Sequence, residues 1–212
     1  MQVLVKVFRI LIIASYLIGI VGISFSISKP EYFIIASIFV PLSFVLLMLF
    51  HYPHSLKFWV TLILIGFFGF IIEAIGTNTG LIFGKYTYGS NLGLTVIATP
   101  LNMAINWMML TYLFGYVFKD LNIGLIQRSV LASLAMVLFD WIMEPVAIRL
   151  DLWRWEFGLP PFRNYVGWFL VSMVIFVFYF RFTGKYTNPM AKTFFYMHLL
   201  FFITLNLIFR LI

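Results

Sequence analysis

QRSVLASLAMVLFDWIMEPVAI, residues 127–148, decides the fold. A helix crossing a bilayer needs about 20 predominantly apolar residues. This run supplies them, with its acids, Asp140 and Glu144, held back to its far end. A tryptophan-rich segment, WRW at 153–155, follows directly. An acid within a span costs about 2.5–3.5 kcal/mol at the centre and less near the ends, so such residues are functional candidates by default. Asp140 and Glu144 lie one turn apart and share a helical face, which Ser133 and Ser129 continue backwards.

The rest of the chain has the same character. Of 212 residues, 63% are hydrophobic and 10% charged, and the mean hydropathy is +1.06. Seven acids and 14 bases cannot coat a water-soluble domain of this size, so lipid must face most of the surface. Candidate spans fall at 8–27, 32–50, 57–76, 94–118, 127–148, 166–182 and 193–211. The expectation is an all-α polytopic membrane bundle of about seven transmembrane helices, forming one integral membrane domain over 1–212. Lys6 and Arg9 precede the first run as in a signal peptide, but no clean small-residue cleavage site follows, so a retained first span is expected.

The net charge of +7 comes from bases scattered between apolar runs, which reads as membrane topology and not as nucleic-acid binding. Lys6, Arg9, Lys57, Lys119, Arg128, Arg181, Lys185 and Lys192 fall on one side. Lys29, Lys85, Arg149, Arg154, Arg163 and Arg210 fall on the other, which leans towards a cytoplasmic N-terminus. Six acids (Glu31, Glu73, Asp140, Glu144, Asp151 and Glu156) gather at or near the second side, and only Asp120 lies opposite. The two longer connections, 77–93 and 149–165, also belong to that side.

Polar and small residues recur at helical spacing in two further runs. Thr95, Thr99, Asn102 and Asn106 form one stripe, and Gly66, Gly69, Glu73 and Gly76 another. These stripes read either as interhelical glue or as the lining of a polar cavity among spans three, four and five. Trp141, Trp153, Trp155 and Trp168 read either as an interfacial aromatic belt or as a cation-stabilising pocket beside the acids. The chain has no cysteine, and His51, His54 and His198 do not form a di-iron ligand set. His198 by itself reads as a hydrogen-bonded core residue. No cofactor or metal is expected.

Five segments appear in an order that carries a resemblance. They are EAIGTNTGLIFGKYTYG (Glu73–Gly89), TPLNMAINWMM (Thr99–Met109), DWIMEPVA (Asp140–Ala147), WRW (Trp153–Trp155) and NYVGW (Asn164–Trp168). Together they resemble the membrane-integral carotenoid biosynthesis proteins, a family that includes carotenoid 1,2-hydratases of the bisanhydrobacterioruberin hydratase and gamma-carotene hydratase type. The resemblance covers about the middle half of the chain. It implies a multi-pass protein of a bacterial or archaeal cytoplasmic membrane, acting on a carotenoid of the lycopene or gamma-carotene type. The implied reaction is cofactor-free addition of water to the terminal double bond of a linear end group. It also implies a distant likeness to membrane-type lycopene cyclases.

Hydration of such an alkene needs a proton donor, a pocket for the tertiary cation and a base for the water. Two buried acids at this spacing are suited to share one proton. The expectation is Asp140 as donor, with Glu144 or Glu73 as the partner that holds water and accepts its proton. Asn102 and Asn106 would orient the water, and Trp107, Trp141, Tyr86 and Tyr88 would face the cation. Trp153, Trp155, Asn164 and Trp168 complete the expected substrate-binding set. A cyclase would use the same acids and exclude water. A proton-coupled transporter would relay protons through them, although a relay should extend across the membrane and these acids cluster towards one side.

Overall fold

The structure, a computed structural model, describes residues 2–25 and 31–211, with side chains left out for 31–36. Lys29 and the side chain of Glu31, both used in the charge reading, lie outside the described residues. Seven helices form the described chain: α1 (Gln2–Phe25), α2 (Glu31–Leu49), α3 (Leu56–Thr79), α4 (Asn102–Phe118), α5 (Leu125–Arg149), α6 (Phe162–Phe182) and α7 (Ala191–Leu211). Short strands interrupt two connections: β1 (Tyr86–Tyr88), β2 (Thr95–Val96), β3 (Thr99–Pro100) and β4 (Trp153–Trp155). The molecule is a helical membrane bundle. Among the described residues, α1, α3, α5, α6 and α7 are long and apolar enough to cross a membrane.

The fourth expected span, 94–118, is shorter than the sequence suggested. α4 begins only at Asn102 and runs 17 residues, about 25 Å at 1.5 Å per residue, against a hydrocarbon core of about 30 Å. The β-branched run before it forms a hairpin in which Thr95 pairs with Pro100 and Val96 with Thr99. Pro100 disfavours helical backbone at Thr99, and Ile97 and Ala98 take the positive φ values of a two-residue turn. The end of α3 holds the hairpin in place. Asn78 Nδ2 donates to Ile97 O at 3.0 Å, and the Thr77 and Thr99 hydroxyls lie 3.0 Å apart. The expected single helical stripe from Thr95 to Asn106 is therefore divided between a hairpin and a helix.

Local chemistry sets the other boundaries. Ser55 caps α3 by accepting the Phe58 amide at 3.1 Å. Gly80 ends that helix in the left-handed region, its amide bonded to Gly76 O at 2.8 Å. α5 runs past Pro145 as far as Arg149, so the proline neither ends it nor prevents Glu144 from being helical. α5 packs on α6 and α7, α3 on α4 and α6, α1 on α7, and α2 on α4. His198 is buried in α7 and hydrogen-bonded to Tyr16 of α1.

The two long connections meet. β1 and β4 pair antiparallel, with Tyr86 opposite Trp155, Thr87 opposite Arg154 and Tyr88 opposite Trp153. Side chains alternate along a strand, so Tyr86 and Tyr88 share one face, as do Trp153 and Trp155. This face turns towards the acid-bearing ends of α3 and α5. Gly89 makes the approach possible. A Cβ there would collide with the Asp151 carbonyl, while the Gly89 amide donates to Leu152 O at 2.9 Å.

Candidate active site

Three carboxyl groups lie beneath the β1–β4 ribbon, and all are buried: Glu73 near the end of α3, and Asp140 and Glu144 on α5. Each is held by a different set of donors. Glu73 Oε2 accepts the Tyr86 hydroxyl at 2.5 Å and the Tyr88 hydroxyl at 2.7 Å. Its Oε1 accepts the Trp107 indole N–H at 3.0 Å. Glu144 Oε2 accepts two indoles, Trp153 at 3.1 Å and Trp155 at 2.9 Å. Asp140 Oδ2 accepts the Asn164 side-chain amide at 2.7 Å, and Asp140 Oδ1 is buried with no hydrogen-bond partner among the described residues.

This asymmetry has chemical content. An indole N–H can only donate, so the oxygens it binds serve as acceptors. Glu73 has both oxygens engaged, which suits a carboxylate. Glu144 is held through Oε2 alone, and Asp140 keeps Oδ1 buried without a partner among the described residues, a place where a carboxylic proton would sit. The ion pairs among the described residues are Lys85–Glu156, Lys119–Asp120 and Arg154–Asp151, and none reaches the three buried acids.

Glu73, Asp140 and Glu144 line a common cavity of about 20 Å³, with Tyr86, Tyr88, Trp153, Trp155, Asn164 and Trp168. That volume holds about one water molecule. Trp107 stands behind it, stacked on Trp168 at 4.7 Å. Gly69 makes room for this arrangement, because a Cβ there would strike the Trp107 side chain. Tyr86 lies 5.0 Å from Trp155 and 5.4 Å from Tyr88, so ring faces and edges surround the cavity. Among the described residues, no group of three or more His, Cys, Asp or Glu is arranged to hold a metal ion.

Some residues singled out in the sequence sit elsewhere. Asn102 donates to Ser37 O at 2.7 Å and ties α4 to α2. Asn106 is half-buried and does not line the cavity. α4 instead presents Met103 to the cavity and Trp107 to Glu73, a face one residue further round the helix. Trp141 is 58% exposed and lines an outer groove. Phe83 and Met103 line the cavity without having been singled out. For Met103 the four-residue spacing to Trp107 was an available signal; Phe83 lies in an irregular connection and offered none.

The tyrosines of the ribbon give a first expected result. Burial, and then the facing Glu73 carboxyl, raise both hydroxyls well above the ordinary value of 10.0. A group whose folded-state pKa is raised contributes stability that is complete below its unfolded value and is lost as pH rises through the folded value. Tyrosinate absorbance should therefore show Tyr86 and Tyr88 still protonated somewhat above pH 10 in the folded protein. They should ionise together with unfolding. Loss of the signal from Tyr86→Phe/Tyr88→Phe identifies them, and ionisation at the ordinary value would show an open, hydrated ribbon.

The family described as carotenoid biosynthesis protein matches residues 30–212. Bisanhydrobacterioruberin hydratase of Haloarcula japonica is 30% identical over an alignment of 137 residues that covers 59% of this chain and 46% of that relative. The chain's match thus spans about half the length of the curated relative. No solved structure matches.

Proposed function

The chain belongs to the carotenoid biosynthesis protein family, and from that premise we propose that it is a hydratase adding water across the terminal C1–C2 double bond of a linear carotenoid. One observation carries the proposal: Asp140, whose Oδ1 has no partner among the described residues, lines a water-sized cavity whose other two carboxyls are held by donors. The relative's name supports the same reaction class.

The steps follow from the roles. Asp140 gives its proton to C2, the alkene's π pair forming the new C–H bond. The tertiary cation left at C1 faces the rings of Tyr86, Tyr88, Trp155 and Trp168, whose electron-rich faces stabilise positive charge. Water bonds to C1, and Glu144 accepts its surplus proton. A proton then returns to Asp140, and the net change is alkene plus water to tertiary alcohol. The addition is redox-neutral and calls for no cofactor. Glu73, saturated by Tyr86, Tyr88 and Trp107, holds these rings in place around the cation. Asn164 holds Asp140 with one oxygen turned away, which makes it a positioning residue. Burial of three carboxyls without a cation requires that they share protons, which is the state general acid catalysis needs.

The reading favours capture by water over ring closure because the cavity beside the acids accommodates a water molecule. The test is expression in bacteria that accumulate lycopene or gamma-carotene, grown in water enriched in heavy oxygen. Pigments are then analysed by liquid chromatography and mass spectrometry. A product heavier than the substrate by one labelled water is expected. A new product of unchanged mass would replace this reading with cyclisation.

A further inference from the structure

A second concavity opens on the lipid-facing side of the bundle. It is a groove of about 440 Å³ between α5 and α7, within the range of small-ligand sites. Trp141 and Ile148 of α5 form one wall, Ile203 and Leu207 of α7 the other, and Leu159 lies beside them. Among the described residues, Glu144 alone lines both this groove and the buried cavity. Two ties fix the walls. The Asn206 side-chain amide donates to Ile142 O, and an Arg149 guanidinium N–H donates to Phe209 O at 3.2 Å. The groove is thus preformed and does not depend on α7 swinging aside.

We infer that this groove is the track for the substrate's polyene, which lies between α5 and α7 with its reacting end at Glu144 and its remainder directed to lipid. The inference rests on the hydratase reading for the identity of the occupant. Three features argue for it. The lining is mainly apolar, as a hydrocarbon chain requires, and its polar side chains are Glu144, Tyr165, Asn206 and Arg210. Leu207 and Trp141 are more than half exposed, at 56% and 58%, so the groove opens sideways and needs no aqueous entrance. The Glu144 carboxyl is held by Trp153 and Trp155, so it is fixed at the point where the track meets the cavity that holds Asp140.

The test fills the track. Leu207→Trp and Ile203→Trp each place an indole in it, and Leu134→Trp places one on the exposed face of α5 outside it. Polyene binding to the purified protein is read from the shift of the visible absorption band of lycopene, and turnover is measured in parallel. A short acyclic terpene with the same terminal double bond but no polyene serves as a second substrate. Polyene affinity and kcat/KM should each fall by roughly tenfold, equivalent to about 1.4 kcal/mol, in both groove variants. Turnover of the short terpene should persist, which also shows that the variants fold; Leu207→Phe substitutes for any that does not. Leu134→Trp should behave as the unaltered protein. Groove variants that bind and convert lycopene normally would overturn the inference. So would an unaltered protein that binds no polyene, or a groove that retains phospholipid in its place. Groove-dependent binding without any hydrated product would keep the track and overturn the hydratase reading.

Discussion

Asp140→Asn is expected to lower product formation by about 10²–10⁴-fold, the usual contribution of a positioned general acid, while leaving the bundle folded. The substitution keeps shape and volume. The carbonyl oxygen of the new amide can take the place of Asp140 Oδ2 and accept the Asn164 amide, now at 2.7 Å. Its NH₂ then occupies the position of Oδ1, which has no partner to lose. An amide has no carboxylic proton to give an alkene, so the first bond-making step fails. Labelled-water product analysis and a thermal midpoint, read side by side, check both halves. Unchanged hydration in this variant would remove Asp140 from the role of donor.

Glu73→Gln should behave differently and lose stability together with activity. Glu73 is the acceptor for three buried donors. The tyrosine hydroxyls can rotate and accept from an amide NH₂, but the Trp107 indole N–H cannot. If the amide nitrogen faces Trp107, two donors oppose each other; if the oxygen does, the tyrosines must rearrange. An unsatisfied buried donor costs about 1–3 kcal/mol, and for a domain of this size each kcal/mol lowers the midpoint by about 2–4 °C. Glu73→Leu strands all three donors and should lower it further. A Glu73→Gln protein as stable as the original would mean that these bonds do not hold the ribbon to α3. Asp140 and Glu73 would thus be separated experimentally, one as a reacting group and the other as the keystone of the aromatic shell.

The helical membrane architecture was legible from hydropathy, because apolar runs of spanning length leave few alternatives. Less was legible where two periodicities compete. Thr95, Thr99, Asn102 and Asn106 keep a helical rhythm, yet a proline and β-branched neighbours turn the first half into a hairpin. Asn102 and Met103 are adjacent in sequence and about 100° apart round a helix. Polarity made the asparagine the obvious candidate, but tying α4 to the Ser37 carbonyl uses its amide, and Met103 takes the cavity face. The acids were legible because lipid makes them expensive. Their partners were half legible: Y-x-Y and W-x-W have the period of a strand, but nothing in either segment said that β1 would pair with β4. Pairing across about 70 residues depends on where the helices carry the strands, and single-sequence patterns do not encode that.

The ribbon also bears on how the protein is made. Glu73 finds Tyr86 and Tyr88 only 13 and 15 positions downstream, and Glu144 finds Trp153 and Trp155 only 9 and 11 downstream. Each helix therefore leaves the ribosome followed at once by the groups that solvate its acid. The bilayer never has to accept either glutamate bare, because its donors arrive before the next helix does. Trp107 and Asn164 come from other helices and close the site afterwards. Under the proposed reaction, insertion and catalysis would draw on the same side chains at different moments. A ribbon aromatic replaced by alanine should reduce the yield of inserted protein as well as the rate of the protein that survives.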